Sequence, residues 1–319
     1  MRRGWRRALI GIGAGLIIIA AGTAGYVWHL YGSVKETADQ IYEPIQPTVY
    51  VSKDPEVTPK PQQAVQALIE KRHPFTVLVM GVDERENDKG RSDTLIVLAV
   101  NPEKKSILMF NIPRDTRTEI IGHGTTDKIN HAYAFGGVTM AKNTVEHFLD
   151  YPMDYYIRIN MEGFARLIDI LGGVEVDNPF SFFYEDHQFD KGMLKLNGEL
   201  ALKYSRMRYE DPRGDLGRNF RQREILMEVM KSSLQFSNIT QIQKILKELG
   251  SSVKTNIKFD EMKTFMSDYR EDLGSIETVE ISGSGSTINQ VWYLMVNKEE
   301  RERIHELLKE QMDIDQTAS

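Results

Sequence analysis

The sequence predicts an α/β protein: a single α-β-α layered domain with a mixed central sheet, preceded by one N-terminal transmembrane helix. Three observations predict it. An uncharged run from Ala8 to Leu30 follows a cluster of arginines; three apolar strand patterns joined by short polar loops lie between Phe75 and Thr116; and beyond them helical patterns alternate with short strand patterns. With 319 residues, 41% hydrophobic and 27% charged, the chain can bury one core of ordinary size. It has no cysteine, which excludes disulfides, thiolate metal sites and cysteine nucleophiles.

Taken in order, Arg2, Arg3, Arg6 and Arg7 precede the apolar run and hold residues 1–7 in the cytoplasm. Residues 8–30 exceed the roughly 20 needed to span a bilayer and exceed the apolar stretch of a cleaved signal peptide, so an uncleaved signal anchor is expected. The glycines of "GIGAGL" imitate part of a dinucleotide fingerprint but have no strand before them. They read as small residues of a membrane helix. The chain is thus expected to be a single-pass protein of the cell membrane with everything after Leu30 outside it. Residues 31–74 carry six of the eleven prolines among charged and polar residues, an extended linker with a short helix near Gln62 to Lys71.

The folded domain, 75–319, opens with "FTVLVMGVD", "DTLIVLAVN" and "SILMFNIPRDT", three strands whose short connections make them antiparallel neighbours. "GGVTMAKNTVEHFL" and "EGFARLIDILGG" read as helices, the second with a glycine stop. "DYYIRIN", "VEVDNP" and "ALKYSRMR" read as strands, Leu216 to Leu234 as a helix, and the C-terminal part as helix-rich with a flexible "SGSGST" at 282–287.

Chemistry converges at one end of the three strands. Asp83 ends the first, Asp93 begins the second and Arg114 follows the third, with Arg85 and Arg91 in the connecting loop. A second concentration is "YSRMRYEDPRGDLGRNFRQRE", six arginines within eighteen residues of a chain whose formal charge is −6. Read as a strand, Arg206 and Arg208 share a face. On the following helix, capped by Asp215, the residues Arg218, Arg221, Gln222 and Ile225 form one face, while Phe220, Met227, Met230 and Leu234 supply packing. Guanidinium forks match phosphate oxygens. Two aspartates beside them would repel a phosphate unless a hard divalent cation lay between, which points to phosphoryl transfer. "DKINHAY" adds Lys128, Asn130 and His131, by themselves a loop and a core histidine. No HExxH, P-loop or GxSxG motif occurs. Nucleic acid is not an expected partner, since the domain lies outside the cytoplasm and its remaining surface is acidic.

In the order "GVDE", "RSDTLIVLAVNP", "IPRDT", "KINHAYAFGG", "DYYIRINMEGF", "ILGGVEV", "GELALKYSRMR" and "DPRGDLGRNFRQRE", these motifs resemble the LytR–CpsA–Psr family, and within it the transferases of Gram-positive wall teichoic acid. The resemblance covers Phe75 to Leu234. It implies that residues 75–319 are a catalytic domain moving an anionic glycopolymer from an undecaprenyl-pyrophosphate carrier to the muramyl 6-hydroxyl of peptidoglycan. It implies that Asp83 and Asp93 bind Mg²⁺, with Mn²⁺ an alternative. Arg114, Lys128, Arg206, Arg208, Arg218 and Gln222 would grip the pyrophosphate, with Arg85, Arg91 and Arg221 alongside. The polyprenyl tail would enter a hydrophobic cavity under the sheet edge, for which "EGFARLIDIL" and the helix after Arg221 are candidate walls. Asp83, Asp93 and Asp215 are alternative general bases. A polyprenyl-pyrophosphate phosphatase and a non-catalytic envelope regulatory or binding protein are the competing readings.

Overall fold

The structure is a computed structural model that describes residues 32–45, 52–55, 57, 73–84, 90–234, 245–268 and 275–313. The anchor expected at 8–30 and the short helix expected at 62–71 lie outside them. Among the described residues no helix is long and apolar enough to cross a membrane.

Six strands form the central sheet in the order β11-β6-β1-β2-β3-β12. As expected, β1 (Phe75–Val82), β2 (Ser92–Asn101) and β3 (Ser106–Asn111) are antiparallel neighbours. β6 (Tyr155–Asn160) pairs parallel with β1, and β12 (Ser275–Glu280) parallel with β3, which makes the sheet mixed. The short β11 (Val253–Thr255) closes the other edge, antiparallel to β6.

Strand alternation sends side chains into two separate cores. Leu78, Met80, Leu95, Val97 and Phe110 face α2 (His131–Leu149) and α7 (Lys298–Met312) through Val145, Phe148, Ile304 and Leu308. Val77, Ile96, Leu98 and Met109 face Leu226, Met227 and Met230 of α5 (Asp215–Leu234) and Met262 and Phe265 of α6 (Phe259–Asp268). Helices therefore cover both faces.

A third core joins α3 (Met161–Leu171), α4 (Gly198–Arg206), α5 and the pair β7 (Val174–Asn178) and β10 (Gly192–Leu196). The Asn160 side chain caps α3 by accepting from Gly163 N at 2.8 Å, and Gly172 ends it in the left-handed region, the predicted glycine stop. Where α3 and α4 touch, a Cβ at Gly198 would lie 2.1 Å from the Ala165 carbonyl oxygen, so only glycine permits the approach. Small hairpins complete the domain: β4 (Arg117–Ile120) with β5 (Thr125–Lys128), β8 (Phe182–Tyr184) with β9 (His187–Phe189), and β13 (Ser284–Ile288) with β14 (Val291–Met295).

Three expectations are corrected. "ALKYSRMR" is not a strand: residues 201–206 belong to α4, whose N-cap Asn197 accepts from Leu200 N, and Met207 ends the helix. Arg206 and Arg208 thus straddle a helix end. "SGSGST" is not a flexible stretch, since Ser284 to Ile288 pairs with β14 as a strand. Finally, part of the expected linker folds onto the domain. Residues 32–41 form α1, with Val34 and Ala38 buried against Phe259, and Glu43 N donates to Thr255 O at 2.8 Å. Val57 joins the main core, and Asp54 pairs with Lys309 at 2.7 Å.

Candidate functional site: a cationic mouth on an apolar cleft

Asp83 and Asp93 flank the loop between β1 and β2, and one carbonyl ties them together. Arg91 O accepts from Asp83 N at 3.1 Å and from Asp93 N at 3.0 Å. Gly90, at φ 65°, lets the loop close: a Cβ there would meet the Asp83 carbonyl oxygen at 2.1 Å. Asp93 is then held from both sides, accepting from Arg114 Nη1 and from Asn130 Nδ2, each at 2.9 Å. Asn130 sits at the N-cap of α2 with helical backbone angles and makes no capping hydrogen bond: its Nδ2 serves Asp93, and its Oδ1 is buried without a hydrogen-bond partner. A position that ordinarily stabilises a helix serves the site instead.

α4 and α5 supply the cations. Arg206 is the last residue of α4, Arg208 lies just beyond it, and Arg218 stands one turn into α5. Asp215 anchors the group, 2.7 Å from Arg218 Nη2 and 3.7 Å from Arg208 Nε. The closer contact is an ion pair without hydrogen-bond alignment, because Arg218 Nε and Nη2 are both buried with no hydrogen-bond acceptor; Arg114 Nε is in the same condition. Burial pushes the Arg218 guanidinium below its usual range, partly offset by Asp215. Unmatched buried guanidinium donors are costly, and an anionic ligand is what would match them.

Gln222 enters through a relay. Arg223 Nη2 pairs with Glu280 at 2.9 Å and Arg223 Nη1 donates to Asn111 Oδ1 at 3.0 Å. That fixes the Asn111 amide so that its Nδ2 donates to Gln222 Oε1 at 3.2 Å. With its oxygen engaged, Gln222 keeps its NH₂ for the cleft, the polarity an anion requires.

These groups rim one cleft of about 300 Å³, lined by Asp83, Asp93, Arg114, Arg206, Arg208, Arg218 and Gln222. Its deeper wall is apolar: Val79, Ile96, Ile159, Phe164, Leu202 and Leu226. Phe164 lies on the expected "EGFARLIDIL" helix and Leu226 on the helix after Arg221. Burial raises the Tyr184 phenol pKa at the same mouth.

Three predicted residues do not join this rim. Arg221 is 1% exposed and fully engaged within the protein: Nε donates to Tyr204 O at 3.0 Å, Nη1 pairs with Asp211 at 2.5 Å, and Nη2 donates to Met207 O. Its expected partner on the ligand face, Ile225, is likewise core. Lys128 turns to Asp115 at 2.6 Å, one residue along from Arg114. Arg91 is exposed, and it is its carbonyl that serves the loop. Arg85 lies outside the described residues. Asn111, Tyr184 and Tyr209 belong to the site or its supports, and no local sequence pattern announces them; Asn130, read from the sequence as part of a loop, joins them through its hydrogen bond to Asp93.

The donors also suit a divalent cation of the expected kind. Among the described residues no set of three or more His, Asp or Glu side chains forms a metal cage. Two carboxylates at a mouth that attracts phosphate oxygens fit Mg²⁺, which binds through one or two carboxylates plus substrate phosphates.

Comparison with known proteins gives the same direction. The description of the LytR_cpsA_psr family matches residues 29–310. A polyisoprenyl-teichoic acid–peptidoglycan teichoic acid transferase, TagU of Halalkalibacterium halodurans, is 47% identical over 97% of this chain and 99% of its own. The crystal structure of Bacillus subtilis TagU is 42% identical, superposes at a TM-score of 0.63, and is matched over 76% of this chain and 98% of its own. A TagT structure bound to LIIa-WTA is 26% identical at a TM-score of 0.67, over 85% and 100% of the two chains. Family description, full-length relatives and solved folds agree, and the chain belongs to the LytR_cpsA_psr family.

Proposed function

We propose that this chain transfers an anionic cell-wall glycopolymer, wall teichoic acid by its relatives' names, from an undecaprenyl-pyrophosphate carrier to the muramyl 6-hydroxyl of peptidoglycan. The observation that carries the reading is the pairing of an apolar cleft with a mouth of buried, unmatched guanidinium donors. A polyprenyl diphosphate has that polarity: a long hydrocarbon ending in a compact anion. The relatives named as teichoic acid transferases, and TagT bound to LIIa-WTA, support the same substrate class. The apolar run at 8–30 supports a membrane anchor with the N-terminus cytoplasmic, which keeps the domain beside its carrier.

In the proposed step the acceptor oxygen bonds to the sugar-side phosphorus and its proton passes to one of the candidate bases, Asp83, Asp93 or Asp215. The bridging P–O bond breaks, and the lipid monophosphate leaves with the electron pair. Arg206, Arg208, Arg218 and the Gln222 NH₂ surround the phosphates, and Arg114 braces Asp93. A unit charge pair at 4 Å is worth about 4 kcal/mol at an effective dielectric near 20, so several such contacts strengthened in the transition state account for much of the catalysis. Mg²⁺ held by Asp83 and Asp93 would neutralise phosphate charge there. Of the candidate bases, Asp93 and Asp215 are committed to ion pairs.

The test is transfer from a lipid-linked polymer to peptidoglycan oligomers by the full chain. Arg206→Ala, at an exposed helix end, is expected to lower transfer about 10²–10³-fold, the scale for loss of one transition-state donor, with an unchanged unfolding midpoint. Full transfer by the variant would sink the reading. Phosphate release that ignores the acceptor would establish a phosphatase instead.

A further inference from the structure

On the far side of Arg114 lies a surface that the phosphate site leaves unused. Soon after its first turn α2 departs from helical geometry at Gly136 (φ −138°, ψ 19°) and Gly137 (φ 64°, ψ −153°), and Phe135, just before the break, is 40% exposed. The exposed His123 stacks on the Phe135 ring at 4.0 Å and 9°, while His131 approaches the ring at 6.0 Å. His131 Nδ1 is 2.7 Å from Asp127 Oδ2, and Asp127 Oδ1 accepts from Tyr293 Oη at 3.3 Å. Arg117 and Lys128 lie 5.7 and 5.9 Å from the centre of the Tyr293 ring. Lys128 pairs with Asp115, whose other oxygen is 3.8 Å from Arg114 Nε. An unbroken row of contacts thus runs from the phosphate site to Phe135.

We propose that this row, from Tyr293 to Phe135, is the acceptor subsite, a platform for the N-acetylhexosamine rings of a glycan strand. The inference rests on the transferase reading, and three arguments support it. The first is direction. The apolar cleft lies on the α5 face of the sheet, whereas Phe135 and His131 belong to α2 on the opposite face. In-line displacement needs the nucleophile opposite the leaving lipid phosphate, and so on the α2 side.

The second argument is chemistry. Pyranose rings offer an apolar C–H face bordered by hydroxyl and amide groups. Aromatic rings, an imidazole held by a carboxylate and a phenol answer both parts. The third is charge. Asp115 and Asp127 balance Lys128 and Arg117, so the platform is close to neutral and suits a glycan better than the polyanionic polymer being donated. The α2 break presents Phe135 outward and gives the two glycines a purpose.

The decisive experiment uses the full chain in detergent with Phe135→Ala and His123→Ala, each at an exposed position. Steady-state transfer is measured against uncross-linked peptidoglycan oligomers, and binding of those oligomers is measured separately by calorimetry without any donor. Both variants are expected to raise the acceptor KM about tenfold, with donor KM within twofold of the parent, and to weaken oligomer binding equally. Unchanged acceptor KM and binding in both variants would overturn the subsite. A raised donor KM instead would assign the surface to the donated polymer and also overturn it. If the parent transfers nothing yet its oligomer binding is lost in the variants, the subsite stands and the transferase reading falls. Should Phe135→Ala lose its cooperative unfolding transition, His123→Ala decides alone.

Discussion

At the scale of single residues, Arg218 and Arg221 stand three positions apart on α5 and take opposite parts. Arg218 turns toward the cleft with donors unmatched, whereas Arg221 is clamped by Asp211 and two carbonyls beneath the Phe182 and Tyr204 rings. Arg221→Ala would leave the fully buried Asp211 carboxylate with only the more distant, partly exposed Arg213 at 3.8 Å as countercharge. The expected cost is about 3–5 kcal/mol, read as a lower denaturant midpoint, which Arg206→Ala should not share. The sequence places both arginines on one helix face with Ile225, and that is as far as helical periodicity reaches. A carboxylate ten residues back, folded under by the turn at Pro212 to Gly214, decides which arginine is consumed. Asp83, Asp93 and Arg114 were legible because strand ends in an antiparallel run must share an edge. Asn130 was legible only as part of a loop, since only the fold reveals that its amide donates to Asp93.

Among the elements, α7 shows how a local rule becomes a pH dependence. Asn297 caps it, and Glu300 in its first turn accepts from Arg303 and, across to the preceding loop, from Ser282 N at 2.8 Å. The Arg303 hydrogen bond, assisted by Ser282 and opposed by burial, holds the Glu300 carboxyl at about 2, against an ordinary 4.5. A depressed carboxylate pKa contributes stability in full above about 4.5 and loses it as the pH falls toward about 2. Amide exchange along α7 is therefore expected to accelerate over that window. Glu300→Gln should flatten this part of the profile, and an unaltered profile would remove the assignment. Sequence patterns served best where the element carried its own signals, as in α3 with its glycine stop at Gly172. They failed at α4, whose alternating "ALKYSRMR" imitates a strand while Asn197, outside that window, sets the helix. They failed again at "SGSGST", where pairing with β14 overrides a composition that reads as flexible.

For the molecule as a whole, the segment before β1 belongs to the fold. Val34, Ala38, Ile41 and Val57 are each less than 9% exposed. Burying three large aliphatic side chains is worth at most about 9 kcal/mol, at the usual 1.5–3 kcal/mol apiece. A chain beginning at residue 58 should therefore unfold well before one beginning at residue 32, and equal melting temperatures would refute the docking.

The position of β12 has a consequence for how the protein is made. β3 receives its second neighbour only when Ser275 to Glu280 arrive beside it. Until residues 275–280 have left the ribosome, that apolar strand has an open side, able to pair with the wrong partner. Maturation must wait for that stretch of the message, and a premature stop before it would yield a sticky fragment in place of a smaller enzyme.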